Sequence, residues 1–159
     1  MGFTEFIQII AATVGSLGFA LLFNVRGYKL IGVTLGGLIG WLTYLVSDLL
    51  INSEELCYFL AAVSISIYAE VMARVMKTPV TSIITTALIP LVPGASLYYT
   101  MASILSDSES FGKSAFRTLG IAAALAAGII VSAILTKLVT KSIALIKATK
   151  TRDQSGKGI

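Results

Sequence analysis

The sequence predicts an all-α membrane protein of five transmembrane helices, the fourth broken near the bilayer midplane, with the N-terminus outside and the C-terminus cytoplasmic. Three observations predict it. Only 13% of the 159 residues are charged and 56% are apolar, against roughly 25% charged in a soluble domain, and the mean hydropathy is +0.90, so this surface is built for lipid. The apolar residues fall in blocks near the roughly 20 residues that cross about 30 Å of hydrocarbon, with short polar segments between them. In the fourth block two prolines and a glycine sit where a continuous helix would cross the middle of the membrane.

The first block covers residues 3–23, and its only early charge is the acid Glu5. A secretory leader begins with a basic segment, so we expect a spanning helix retained in the mature protein. It closes in the turn Asn24, Val25, Arg26, Gly27, where Asn24 is expected to cap the helix. Residues 30–46 make the second span, ended by Ser47, Asp48 and the acidic stretch Asn52, Ser53, Glu54, Glu55. Residues 56–76 make the third, ending at Lys77, Thr78 and Pro79. Residues 80–105 make the fourth, interrupted by Pro90 and by Pro93 with Gly94, and followed by Asp107, Ser108 and Glu109. Residues 116–139 make the fifth, which runs into a basic tail. The shorter blocks are expected to reach across with tilt or local thinning of the bilayer making up the rest. Residues 1–150 thus read as one integral membrane domain and residues 151–159 as a flexible basic cytoplasmic tail.

Charge sets the expected orientation. Arg26 and Lys29 lie between spans one and two, Arg74 and Lys77 at the end of span three, and Lys137, Lys141, Lys147 and Lys150 along and after span five. Asp48, Glu54, Glu55, Asp107 and Glu109 occupy the alternate loops. Basic loops face the cytoplasm. Lys113 and Arg117 interrupt the pattern near the outer end of span five. Rows of small residues recur at helix-packing spacing: Gly32, Gly36 and Gly40; Ala11, Gly15 and Gly18; Gly120, Ala124 and Gly128. Such rows let helix backbones approach closely in lipid, either within one bundle or between subunits.

The chain has no histidine and one cysteine, Cys57. Catalysis that needs a histidine, the usual zinc sites and an intrachain disulfide are thereby excluded. We expect no enzyme and no cofactor. The net charge of +4 is not arranged as a basic stripe interleaved with aromatics, so no nucleic-acid partner is expected. Cys57 reads as a small apolar filler and Trp41, near mid-span, as packing.

Chemistry is expected at the proline break. Pro90 cannot donate to the carbonyl of Thr86, nor Pro93 to that of Ile89, and Gly94 loosens the backbone beside them. A break at that depth is tolerated where it is buried in protein or lines a polar cavity. The half-helix starting near Gly94 would offer N–H groups to a carboxylate, and the carbonyls of Thr86 and Ile89 could hold a cation or an ammonium group. Ser96 and Tyr98 add hydroxyls, as do Ser82, Thr85 and Tyr99, so Thr86, Ile89, Pro90, Pro93, Gly94, Ser96 and Tyr98 are the candidate substrate-binding residues. The alternative is a plain proline kink with hydroxyls bonded back to the helix. Glu70 and Arg74, four apart on span three, share a helical face. They form either a structural ion pair anchoring the cytoplasmic end or a pair in which Glu70 accepts the coupling proton.

Several of these motifs resemble a known family. Ala69, Glu70, Ala73 and Arg74, then Lys77, Thr78, Pro79 and Val80, then the run Ile89, Pro90, Leu91, Val92, Pro93, Gly94 with Tyr98, are similar to the threonine/serine exporter family. Phe23, Asn24 and Val25 before a basic turn fit as well. The resemblance is to the small-subunit, YjjB-like type. It implies export of a small carboxylate metabolite, threonine and serine or a dicarboxylate such as succinate, driven by an ion gradient. It also implies a larger YjjP-like membrane subunit as partner, and a multi-pass place in the cell (inner) membrane. Two other classes stay open: a homo-oligomeric channel lined by the broken helix, and a non-transporting membrane scaffold.

Overall fold

In hydrocarbon a spanning segment must satisfy its backbone N–H and C=O groups internally, and the chain does this with helix; among the described residues there is no strand. The computed structural model describes the backbone of residues 2–106 and 108–155, and side chains over 2–104 and 111–142. Asp107 and residues 156–159, including the end of the expected tail, lie outside the described residues. The elements are α1 (Phe3–Leu22), α2 (Tyr28–Leu50), α3 (Glu54–Met76), α4 (Val80–Leu88), a 3₁₀ turn (Ile89–Leu91), α5 (Gly94–Ser106) and α6 (Ser108–Ser155). Helices α1, α2 and α3 and the stretch Phe111–Ser142 of α6 are each long and apolar enough to cross a membrane. Val80–Leu91 and Gly94–Ile104 form a pair bent by 54°; counted as one span, it makes the expected five.

Helix ends follow local chemistry. The Gly2 N–H donates to the Glu5 carboxylate at 2.8 Å, closing the first turn of α1. Asn24 (φ 58°) and Gly27 (φ 67°) take left-handed backbone in the turn after it, a region open to asparagine and glycine. Lys77 (φ 49°) does the same after α3, with the Thr78 N–H reaching back to the Ala73 carbonyl at 3.0 Å. α2 and α6 outrun the apolar blocks that announced them. Hydropathy marks where lipid ends, and serine, lysine and acidic residues continue a helix into water without difficulty.

α3 is the centre of the bundle. α2 and α6 flank it, α1 packs on α2, α4 lies against α2 and α3, the 3₁₀ turn reaches α1 and α2, and α5 leans on α6. One buried cluster joins Ala20, Val33, Ala69, Ala73 and Ile83. A second joins Ala61, Ile65, Ala87 and Leu91, with Trp41, Tyr44 and Tyr58 against it.

Small residues make this spacing. A methyl group added at Gly32 would run into Met76, at Gly37 into Ser16, and at Gly40 into Ile65, whose Cγ1 would lie 2.6 Å away. At Gly36 it would meet the Ala87 Cβ at 3.0 Å, and at Gly128 the Phe59 carbonyl oxygen and the Ala62 Cβ, both at 2.8 Å. The glycine row of α2 therefore serves packing inside the bundle. Gly15 and Gly18 have nothing within 4 Å of an added Cβ, so this part of α1 stays open.

The two ends of the bundle differ in charge. The Tyr28 hydroxyl donates to the Met76 carbonyl at 3.5 Å, which puts Arg26, Lys29, Arg74 and Lys77 at one end. At the other, Arg117 Nε donates to the Glu54 carboxylate at 2.6 Å. Arg117, one of the two basic residues that broke the loop pattern, is thus paired with an acid across the α3–α6 contact.

Candidate functional site

Of the two carbonyls freed by the prolines, that of Ile89 is bonded again within the break, and two further bonds carry the backbone into the next helix. The Val92 N–H donates to the Ile89 carbonyl at 3.1 Å, the Gly94 N–H to Val92 at 2.7 Å, and the Leu97 N–H to Pro93 at 2.9 Å. Val92 itself is extended (φ −60°, ψ 128°), which ends the helical course of the first arm. The Ile89 carbonyl keeps a second lone pair, since each carbonyl oxygen can accept twice.

The seven expected binding residues do not converge on one cavity. Thr86 is fully buried in the α4 half, and its hydroxyl donates to the Ser82 carbonyl at 2.7 Å and Ile83 at 3.2 Å. The Thr85 hydroxyl bonds back to Thr81 at 2.8 Å. Pro93 faces an apolar cavity of about 380 Å³ against α6, lined by Leu88, Val92, Leu97 and Leu125 among others. Ser96 is half-buried, and its carbonyl accepts from the Thr100 hydroxyl at 2.7 Å. Gly94 is exposed with open space around it. Tyr98 is 68% exposed on the outer face of α5, edge-on to Tyr99 at 5.6 Å.

Ile89 and Pro90 are the two that reach a mixed cavity. It holds about 500 Å³ between α1, α2 and the 3₁₀ turn, and Gln8, Ala11, Ala12, Gly15, Phe19 and Trp41 complete its wall. Trp41 packs at 5.4 Å against Tyr44, which packs at 4.8 Å against Tyr58, each pair of rings tilted. The stack fixes the indole, yet its Nε1 is buried without a hydrogen-bond partner among the described residues. A buried donor left unsatisfied costs about 1–3 kcal/mol, a cost that any rearrangement bringing an acceptor to it would relieve. Gln8 supplies an amide that can donate and accept. Gln8, Trp41 and the Ile89 backbone thus bring both donor and acceptor groups to the residues that line the cavity.

Gln8 and Trp41 were not among the expected site residues. Each carries a signal in the sequence: Gln8 is a lone amide within the apolar stretch Phe6, Ile7, Ile9, Ile10, and Trp41 stands at mid-span, whereas membrane tryptophans favour the interface.

Glu70 and Arg74 lie elsewhere, toward the basic end of α3. Their charged groups are 3.7 Å apart, and Arg74 also donates to the Thr140 hydroxyl of α6 at 2.8 Å. They line a groove between α3 and α6 and not the cavity at the break.

A family model described as Threonine/Serine exporter, ThrE matches residues 8–135 of the chain. No curated protein and no solved structure matches it.

Proposed function

Because the chain belongs to the threonine/serine exporter family, a family of multi-pass cell-membrane transporters, we propose that it is one subunit of an ion-gradient-driven secondary exporter of small carboxylate metabolites. The substrates are threonine and serine or dicarboxylates such as succinate, and the partner is a larger YjjP-like membrane subunit. The observation that carries this reading is the cavity at the break, whose wall joins Gln8 and Trp41 to Ile89 and Pro90 and whose tryptophan has a buried Nε1 without a hydrogen-bond partner among the described residues. A substrate carboxylate bound there accepts from Trp41 and Gln8, and an ammonium group donates to Ile89. Thr86, Pro93, Gly94, Ser96 and Tyr98 then act around the cavity: Thr86 and Pro93 by shaping the break, and Gly94, Ser96 and Tyr98 by facing the partner. The open face of α1, with Gly15 and Gly18, suits a partner helix that closes the cavity. In this reading the N-terminus lies outside and the C-terminus in the cytoplasm, an orientation that the basic end of the bundle supports.

The test is uptake into inverted vesicles carrying the chain with and without the larger subunit, screened over threonine, serine and succinate. A cysteine placed at the C-terminal end should react with an external impermeant reagent in those vesicles. Uptake is expected only with both chains. Trp41→Phe keeps the aromatic stack and removes the donor; it should weaken apparent substrate affinity about tenfold, the worth of one hydrogen bond to a charged group. Gradient-independent conduction by this chain alone, or unchanged affinity in Trp41→Phe, would remove the reading.

Glu70 is the proposed coupling acid of the same scheme, with Arg74 as its partner. Glu70→Gln should eliminate proton-driven flux while membrane insertion stays normal. If flux persists, the pair is an anchor of the basic end and nothing more.

A further inference from the structure

Near the basic end, α3 and α6 part and leave two contiguous grooves of about 460 and 370 Å³ that share Glu70, Arg74, Thr136 and Thr140. The larger is walled by aliphatic side chains, among them Ile67, Val71, Leu135 and Val139. The smaller forms its mouth and adds Lys137 and Lys141. Three cations, Arg74, Lys137 and Lys141, thus face one acid, Glu70, leaving the mouth net positive by two. Arg74 is held by Glu70 and Thr140. Lys137 and Lys141, one helical turn apart on the exposed side of α6, are held by no described residue. The hydroxyls of Thr136 and Thr140 donate to the carbonyls of Ser132 and Thr136, each at 2.8 Å. The two lysines are therefore the donors left for an incoming anion.

An aliphatic slot running into a cationic mouth at the level where α3 ends matches an amphiphile with a negative head. A small soluble anion would leave the aliphatic slot empty, and a neutral lipid would leave the lysines without a counter-charge. We propose that this groove binds one anionic phospholipid, its acyl chain between α3 and α6 along Val71 and Leu135 and its phosphate on Lys137 and Lys141. Basic pockets between helices at the cytoplasmic side are suited to such head groups.

The test is native mass spectrometry of the full chain released from bilayers of phosphatidylglycerol and phosphatidylcholine in equal parts. One phosphatidylglycerol per chain should be retained, in preference to phosphatidylcholine. Replacing both lysines, Lys137→Gln with Lys141→Gln, should weaken retention roughly 30-fold, about fivefold for each charge. Val71→Trp fills the slot and leaves every charge in place; Val71 is 56% exposed, so the fold tolerates it, and retention should be lost. Glycerol phosphate, a head group without chains, should fail to displace the lipid. Equal retention of phosphatidylcholine, or retention unchanged in either variant, would overturn the proposal. Displacement by glycerol phosphate would also overturn it, by making the mouth a site for soluble anions.

Discussion

Replacing Gly128 by leucine should separate α6 from α3 and cost the bundle about 3 kcal/mol or more, the upper range for overpacking a filled interior. The obstacle is backbone. The first added carbon would lie 2.8 Å from the Phe59 carbonyl oxygen and 3.3 Å from the Val63 nitrogen, atoms of the α3 ladder that cannot rotate aside as a side chain can. In lipid, where close packing and not water exclusion holds helices together, the lost approach has no compensating burial. The thermal midpoint in detergent should fall by on the order of 10 °C. Gly112→Leu, at a position with open space around it, should leave that midpoint unchanged and serves as the control. A variant at Gly128 as stable as the parent would mean that α3 and α6 do not meet there.

Straightening the fourth span should be as damaging to transport as Gly128→Leu is to stability. Each proline opposes helix continuation by about 3 kcal/mol, and Pro90→Ala with Pro93→Ala removes both restraints. α5 would then realign with α4, giving up its 54° departure, the contact between the Thr100 and Thr118 hydroxyls at 3.0 Å and the apolar cavity behind Pro93. Cysteines placed at 100 and 118 should cross-link readily in the parent and poorly in the double variant. Uptake in inverted vesicles should drop at least tenfold, as the Ile89 and Pro90 wall of the Trp41 cavity is rebuilt. Full transport through an unbent helix would show that the break is merely architectural.

The number of spans, the break and the segregation of charge were legible in the sequence because lipid imposes them residue by residue. A block of apolar residues has few other fates, and two prolines three apart leave a helix no regular continuation. Azimuth was not legible in the same way. Nothing local to residues 8, 41 and 89 says that α1, α2 and the 3₁₀ turn bring them to one cavity; that depends on which faces pack, and the packing is set by glycines elsewhere. Gly37, outside the row formed by Gly32, Gly36 and Gly40, turned out to meet Ser16 of α1. Tyr98 illustrates the converse. Its place four residues after Gly94 suggested a hydroxyl near the break, but helical rotation carries it to the outside. The charge of Arg117 looked like a blemish in the loop pattern because its partner, Glu54, is 63 residues away in the chain.

The elbow in the fourth span divides mechanical duties unequally. Its first arm is locked among α1, α2 and α3, whereas its second rests on α6. The second arm has one main neighbour to answer to, so whatever moves α6 carries α5 with it through the Thr100 to Thr118 hydroxyl contact and the aliphatic side chains around it, while the Trp41 wall belongs to the first arm. The outward tyrosines 98 and 99 ride on that second arm, away from the cavity beside the first.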